Sequence, residues 1–419
     1  MLSLRQITEL GGELFGPKID TEYLVPCLEN NIILKENILI SISQDPAIVR
    51  KRIENNRFTK AVISRFFLKE YEDRILQIVV PDVQDFLKRA AKMNLDNFTG
   101  KIIAVAGSVG KTTTKYWLNR LIGGKCLMTP RSFNWIVPIC ITLLQLDNTY
   151  DYFIAEVGID DMGQMEEMAS LLRPHYCLFT AIGLEHLEKL ISLENILMEQ
   201  SILILHTREL ALVPHNMYQF LQRHQLESSI QYVDWEEIGK QNLKIKNDTW
   251  SIFNHEYRII NHITIQNQIM ILVFLKLLNL PLPQELHNLP ALCTRGNRIK
   301  TRDKTIYDFS YNCQPMALIR TLDNIREKSD LILGMLAELG DEESKILEEI
   351  FTRLEQHPHL ANIYLYNFPH INNQRFKVWS GQYEELNEIV YIQGAKRNHC
   401  INIVCHLIEP NCTVSYKHL

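Results

Sequence analysis

Long apolar runs are missing from this sequence. The longest, Ile269 to Leu280 (IMILVFLKLLNL), is broken by Lys276 and falls short of the ~20 residues that a membrane-spanning helix needs, so it reads as a buried core helix. Paired cysteines are missing too. The nine cysteines stand singly, with no C-x-x-C and no metal-ligand spacing, which argues against a disulfide framework or structural zinc and for reduced thiols. Basic residues are not in excess: the net charge of -5 argues against a nucleic-acid surface. Glycine and proline are unremarkable in number, so no collagen-like or low-complexity segment is expected. The opening stretch MLSLRQITELGGELFG carries charge every few residues, unlike a secretory signal. These absences together predict a soluble, cytoplasmic protein with no membrane span and no nucleic-acid partner, and the expected state is a monomer.

What is present is organised in units. A chain of 419 residues suits two or three domains at about 100–200 residues each. The first hundred residues mix short strand-like runs (NIILKENILISIS, KAVISR, LQIVV) with a helical stretch, PDVQDFLKRAAKMNL, started by Pro81-Asp82. NLDNFTG reads as a linker. From residue 101 to about 290, apolar strands (KIIAVAG, YFIAEVG, YCLFTAIG, LALVPH) alternate with helices, the pattern of a parallel sheet covered on both faces. After CTRGNRIK a second alternating run follows, from TIYDFSYN to EIVYIQGAK, and predicts a smaller doubly wound α/β unit. The expected division is 1–98, 99–293 and 294–419: a small α/β N-terminal domain, a central domain with a mostly parallel sheet whose first strand–turn–helix segment, AVAGSVGKTTTK, is of the P-loop ATPase kind, and a C-terminal Rossmann-like domain.

The segment IIAVAGSVGKTTTK, Ile102 to Lys115, joins a strand to a helix through a glycine-bearing turn. In that context backbone N–H groups converge on an anion, and the helix dipole adds to the attraction. Gly107 and Gly110 would let the backbone approach phosphates, with Ser108, Val109 and Thr113 completing the cradle. Lys111 would reach the outer phosphates of ATP, and the Thr112 hydroxyl would ligate Mg²⁺. The general G-x-x-x-x-G-K-[ST] pattern asks for glycine at position 105, where Val105 stands.

That compact loop resembles the loop of the Mur ligase superfamily, ATP-dependent enzymes that join a carboxylate to an amine. Further segments match in order: PRSFNW with Asn134, YFIAEVG with Glu156, FTAIGLEHLEKLIS with His186, and then TRGNR, YDFSYNCQPMAL, LILGMLAELG and YIQGAK. The S-Y-N and A-E-L-G elements are similar to the D-alanyl-D-alanine-adding branch, the MurF type. The resemblance implies a carboxylate–amine ligase that works through an acyl phosphate. Its substrates would be a nucleotide-linked peptide, UDP-MurNAc-tripeptide, and an amino acid or dipeptide. It also implies roles. Lys111, Glu156 and His186 would be catalytic. Thr112, Glu156 and His186 would hold Mg²⁺, and Asn134, Asn267, Arg298 and Asn312 would help hold the nucleotide.

Four departures qualify this. Gln200 stands where such ligases carry a carbamylated lysine, and a neutral amide is a poor Mg²⁺ ligand. Neighbouring Glu199 is turned away by one helical step of about 100°. Phe309 and Met335 replace aspartates, and the first domain lacks legible uridine-nucleotide signatures. Two alternatives therefore stand beside the MurF-like reading: a Mur-type ligase acting on a different carboxylate, and a catalytically silent nucleotide-binding relative.

Overall fold

The computed structural model describes residues 2–17, 23–27, 37–55, 59–225, 230–246, 249–258, 265–289, 292, 294–311, 314–336, 338–368, 373–394 and 400–408. Its architecture is α/β, in three sheet-based units.

The central unit decides the rest. Its six-stranded sheet runs Gln231–Asp234, Leu210–Val213, Tyr176–Phe179, Lys101–Ala106, Tyr152–Glu156, Cys126–Met128, and every neighbouring pair is parallel. Lys101–Ala106 (KIIAVA) and Tyr176–Phe179 (YCLF) are almost wholly buried, as a parallel sheet covered by helices on both faces requires. Lys101–Ala106 lies mid-sheet. The chain leaves it for the two strands on one side, then returns to begin the strands on the other. Such a reversal opens a crevice at the carboxyl ends of the strands.

The helix Ile265–Leu277 is apolar on all sides, with Ile269 to Leu275 buried, so the longest apolar run is a core helix. One feature departs from the alternating pattern. Lys244–Lys246, Thr249–Ile252 and His255–Arg258 form an antiparallel meander, whose Trp250 and Tyr257 pack into the same core as that helix. Its strands are only three or four residues long, too short to show a period in the sequence.

The N-terminal sheet is parallel through four strands (Tyr23–Cys27, Asn37–Ile40, Thr59–Ser64, Leu76–Val79), with an antiparallel strand at each edge. Its last helix, Val83–Asp96, starts where expected, with the Asp82 carboxylate accepting from the Asp85 N–H at 2.8 Å. The helix runs through Asn94 and Asp96, so the link to the central sheet is shorter than the sequence suggested. The C-terminal sheet places Thr305–Phe309, Ile389–Gln393, Ser329–Gly334, Leu360–Tyr366 and Phe376–Val378 in parallel, with Asn297–Lys300 antiparallel at one edge. Among the described residues, no helix is long and apolar enough to cross a membrane.

Candidate nucleotide site

The strand Lys101–Ala106 ends in Gly107, whose φ of +109° takes the chain into a conformation that side chains disfavour. A Cβ on Gly107 would fall 2.4 Å from Thr180 Oγ1, so the turn is possible only because nothing projects there. Gly110, at φ +97°, caps the helix Lys111–Leu121, and no side chain bonds the first-turn amides. Those amides are therefore available to an anion. The amides of Ser108 and Val109 are not, because both donate to Ala181 O, at 2.8 and 3.3 Å.

Glu156 closes the neighbouring strand and is 1% exposed. Its Oε1 accepts from Thr112 Oγ1 at 3.0 Å and from Asn134 Nδ2 at 3.3 Å, while Oε2 faces Lys115 Nζ at 2.9 Å. Lys115 is wholly buried and also donates to the carbonyl of Arg131. Burial pulls its pKa down, and the Glu156 charge pulls it back up. The pair ties the helix after the phosphate loop to the end of the adjacent strand and to the turn that presents Asn134.

Lys111 is turned inward. Its Nζ donates to Gly107 O and, at 3.3 Å, to Ser108 O, and lies 3.7 Å from Glu185 Oε2. His186, left-handed at φ +49°, holds Glu338 Oε2 through Nδ1 at 2.6 Å. Glu338 also accepts the Leu187 N–H on its backbone carbonyl, so this contact joins the central unit to the A-E-L-G element of the third. Burial works against protonation of His186, but the hydrogen bond to Glu338 and the charge of Glu185 outweigh it, and the pKa rises.

These residues line one cavity of about 660 Å³, within the range of small-molecule sites. The central unit contributes Ser108 to Thr113, Asn134, Glu156, Glu185, His186 and Asn267. The C-terminal unit closes the other side with Arg295, Phe309, Tyr311, Gln314, Arg320 and Gln393. Gln314, Ala317 and Arg320 share a face at the start of the helix Pro315–Asn324 and all reach the cavity. Arg295 bonds Ser132 Oγ across the gap, and its guanidinium lies 3.9 Å from the Tyr311 ring centre.

Most residues expected at the site thus converge, and the exceptions are specific. Gly107 shapes the turn but does not line the cavity. Arg298 is exposed on its strand, paired in register with Tyr307 and apart from the cavity, and Arg295 of the same T-R-G-N-R segment lines it instead. Asn312 lies outside the described residues. Gln200 is wholly buried, and neither of its amide atoms has a hydrogen-bond partner among the described residues. It is not among the residues lining the cavity. Glu199 faces away as expected, with Oε1 accepting from Met165 N at 2.8 Å. Asp308, whose pKa is raised by burial, is held by Ser310.

Residues not foreseen are Lys115, Glu185, Arg295, Glu338 and Gln393. Lys115 had a signal, since it stands four positions after Lys111 on the same helix face. The others needed the fold to bring distant segments together. For a metal, Thr112 and Glu156 offer two hard oxygen donors 3.0 Å apart. The described residues contain no group of three or more His, Cys, Asp or Glu able to enclose an ion, so phosphate and water would have to complete the coordination.

Residues 105–273 match the Mur ligase middle domain family. The match lies within the central unit, and the comparisons below are of the whole chain. In sequence it is 31% identical over 129 residues to the UDP-N-acetylmuramoyl-tripeptide–D-alanyl-D-alanine ligase of Rickettsia prowazekii, a match covering 30% of this chain and 29% of that one. The matched stretch therefore spans less than a third of that relative's length. The fold likeness is far more extensive. The MurF ligase of Thermotoga maritima in complex with ADP superimposes with a TM-score of 0.75 at 17% identity, covering 92% of this chain and 97% of that one. MurF from Acinetobacter baumannii gives 0.78 at 18%, covering 97% and 98%. The matched segment thus sits within a fold that is like MurF over nearly the whole chain, at low sequence identity.

Two measurements check this geometry. The His186 ring, followed by NMR, is expected to titrate above its ordinary value of about 6.5 and to fall toward it in Glu338→Gln. Because the folded pKa is the higher one, the stability contribution is full below the unfolded pKa and is lost as pH rises through the folded pKa. An unchanged His186 titration would contradict the contact. Gln200→Met removes a buried amide without partners, so it is expected to raise unfolding stability by about 1 kcal/mol and leave nucleotide binding intact. A loss of nucleotide binding would give Gln200 a role that its position does not.

Proposed function

We propose that this protein is an ATP- and Mg²⁺-dependent carboxylate–amine ligase of the MurF type, joining UDP-MurNAc-tripeptide to D-Ala-D-Ala. The observation that carries this reading is the constellation of uncapped helix amides, Lys111, Thr112 and Glu156, facing a third-unit wall across one cavity. Such a wall suits a reaction whose second substrate must arrive beside the phosphate and whose intermediate must be kept from water.

In the reaction, a substrate carboxylate oxygen attacks the terminal phosphorus of ATP, and ADP leaves. The amine nitrogen then attacks the acyl carbon and expels phosphate. Phosphoryl transfer needs alignment and charge neutralisation more than covalent help. Thr112 and Glu156 would hold Mg²⁺, which supplies part of that neutralisation. Lys111 would leave the carbonyl of Gly107 and meet the terminal phosphate. Asn134 holds the Glu156 carboxylate in place, and Asn267 packs against Gly110, where a Cβ would meet its amide at 2.7 Å. Arg295 spans the two walls and keeps them together.

A second reading is a nucleotide-binding relative without turnover, favoured by Gln200, which offers no charge where a carbamate would stand. The assay that separates them measures ADP and phosphate release with Mg-ATP, UDP-MurNAc-tripeptide and D-Ala-D-Ala. Release is expected, dependent on both substrates, and reduced at least ~100-fold by Lys111→Ala. Binding of ATP without release on these substrates, or release indifferent to Lys111, would overturn the MurF-type assignment.

A further inference from the structure

The two walls of the cavity differ in how far their polar side chains are already paired. Lys111, Glu156, Asp160, Glu185, His186 and Arg295 line it, and each has a hydrogen-bond or ion-pair partner. Arg320 lines it too, from the helix Pro315–Asn324, and is only partly buried. Among the described residues, its guanidinium makes neither an ion pair nor a hydrogen bond. The charge of Glu236 reaches it from the central unit, but burial outweighs that attraction and the pKa falls. A cation withdrawn from water in this way gains from an anion that a ligand brings.

Gln393 belongs to the same third-unit wall. It ends the strand Ile389–Gln393 and pairs in register with Phe309, which also lines the cavity. It is 0% exposed, and neither its amide oxygen nor its amide nitrogen has a hydrogen-bond partner among the described residues. Gln200 is buried in the same way, but Gln393 borders the cavity and Gln200 does not. A buried donor or acceptor left unpaired costs about 1–3 kcal/mol, so this amide suits a ligand that offers one donor and one acceptor. A peptide group offers both.

The phosphates are drawn to the opposite wall, where the uncapped helix amides, Lys111 and Thr112 face the cavity. The third-unit wall is left to the second substrate. The planar fork of an arginine matches a carboxylate through two parallel hydrogen bonds. We infer that Arg320 and Gln393 select the amine substrate, Arg320 by pairing with its free carboxylate and Gln393 by bonding its peptide group. The compound they fit is a dipeptide with an unblocked carboxyl end, whose amino end is left to face the phosphate. The inference rests on the ligase reading above.

The test measures phosphate release by the full chain with Mg-ATP, UDP-MurNAc-tripeptide and either D-Ala-D-Ala or its C-terminal amide. Wild type is expected to prefer the acid at least ~10-fold in kcat/KM, mainly through KM, because the amide forfeits a hydrogen bond between charged groups. Arg320→Met is expected to shrink that preference below ~3-fold by raising KM for the acid. An arginine that only supported the fold would slow both amines alike on replacement and keep the preference. Arg320→Lys covers the case in which Arg320→Met does not fold. It is expected to keep a reduced preference, since an ammonium cannot bond a carboxylate through a fork. Gln393→Leu is expected to lower kcat/KM at least ~5-fold for D-Ala-D-Ala and less for D-Ala-D-lactate, whose ester has no N–H. An equal loss with both overturns the role given to Gln393. A wild type indifferent to acid or amide, or an Arg320 variant with the full preference, overturns the inference while the ligase reading stands. No turnover with either amine overturns the ligase reading, and the inference with it.

Discussion

The buried ion pair between Lys115 and Glu156 is the contact on which the site depends. Two charges with almost no access to water are stable only as partners, and truncating either typically costs about 3–5 kcal/mol. Here the partners sit on different elements. Lys115 is on the helix that follows the phosphate loop, and Glu156 ends the adjacent strand. Holding them together fixes the helix N-terminus against the sheet edge. It also aims Glu156 Oε1 at Thr112 and Asn134. The carboxylate is therefore positioned before any ligand arrives, which lowers the ordering needed on binding.

Around that fixed point the remaining charges can move. Lys111 is held only by two carbonyls and a distant carboxylate, so it can turn outward. His186 is held by Glu338 of the third unit, so its position reports how the two units meet. Arg295, bonded to Ser132, makes a second crossing contact. The rigid pair and the movable lysine divide the work of the site between positioning and response.

The fold was largely legible because parallel strands buried on both faces leave continuous apolar runs, such as KIIAVA and YCLF. The phosphate loop was legible because only glycine tolerates the positive φ values at positions 107 and 110. The meander around Trp250 was not, since strands of three or four residues carry no readable period. Site residues on the loop and the two flanking strands were legible from local motifs. Those on the opposite wall were less so, because two arginines three residues apart in T-R-G-N-R look alike in sequence. The antiparallel pairing of Asn297–Lys300 with Thr305–Phe309 leaves Arg298 exposed, whereas Arg295 precedes the strand and reaches the cavity. Lys115 and Glu185 were missed for a related reason: a buried charge is recognisable only when its partner is, and here the partners lie 41 and 74 residues away, at Glu156 and Lys111.

The central claim is that Lys115 and Glu156 act as one unit, and a double-mutant cycle tests it most directly. Unfolding free energies would be measured for Lys115→Met, Glu156→Gln and the pair. Each single change is expected to destabilise by about 3–5 kcal/mol, with the double variant recovering most of that loss. A double variant whose destabilisation is simply the sum of the two would contradict the claim.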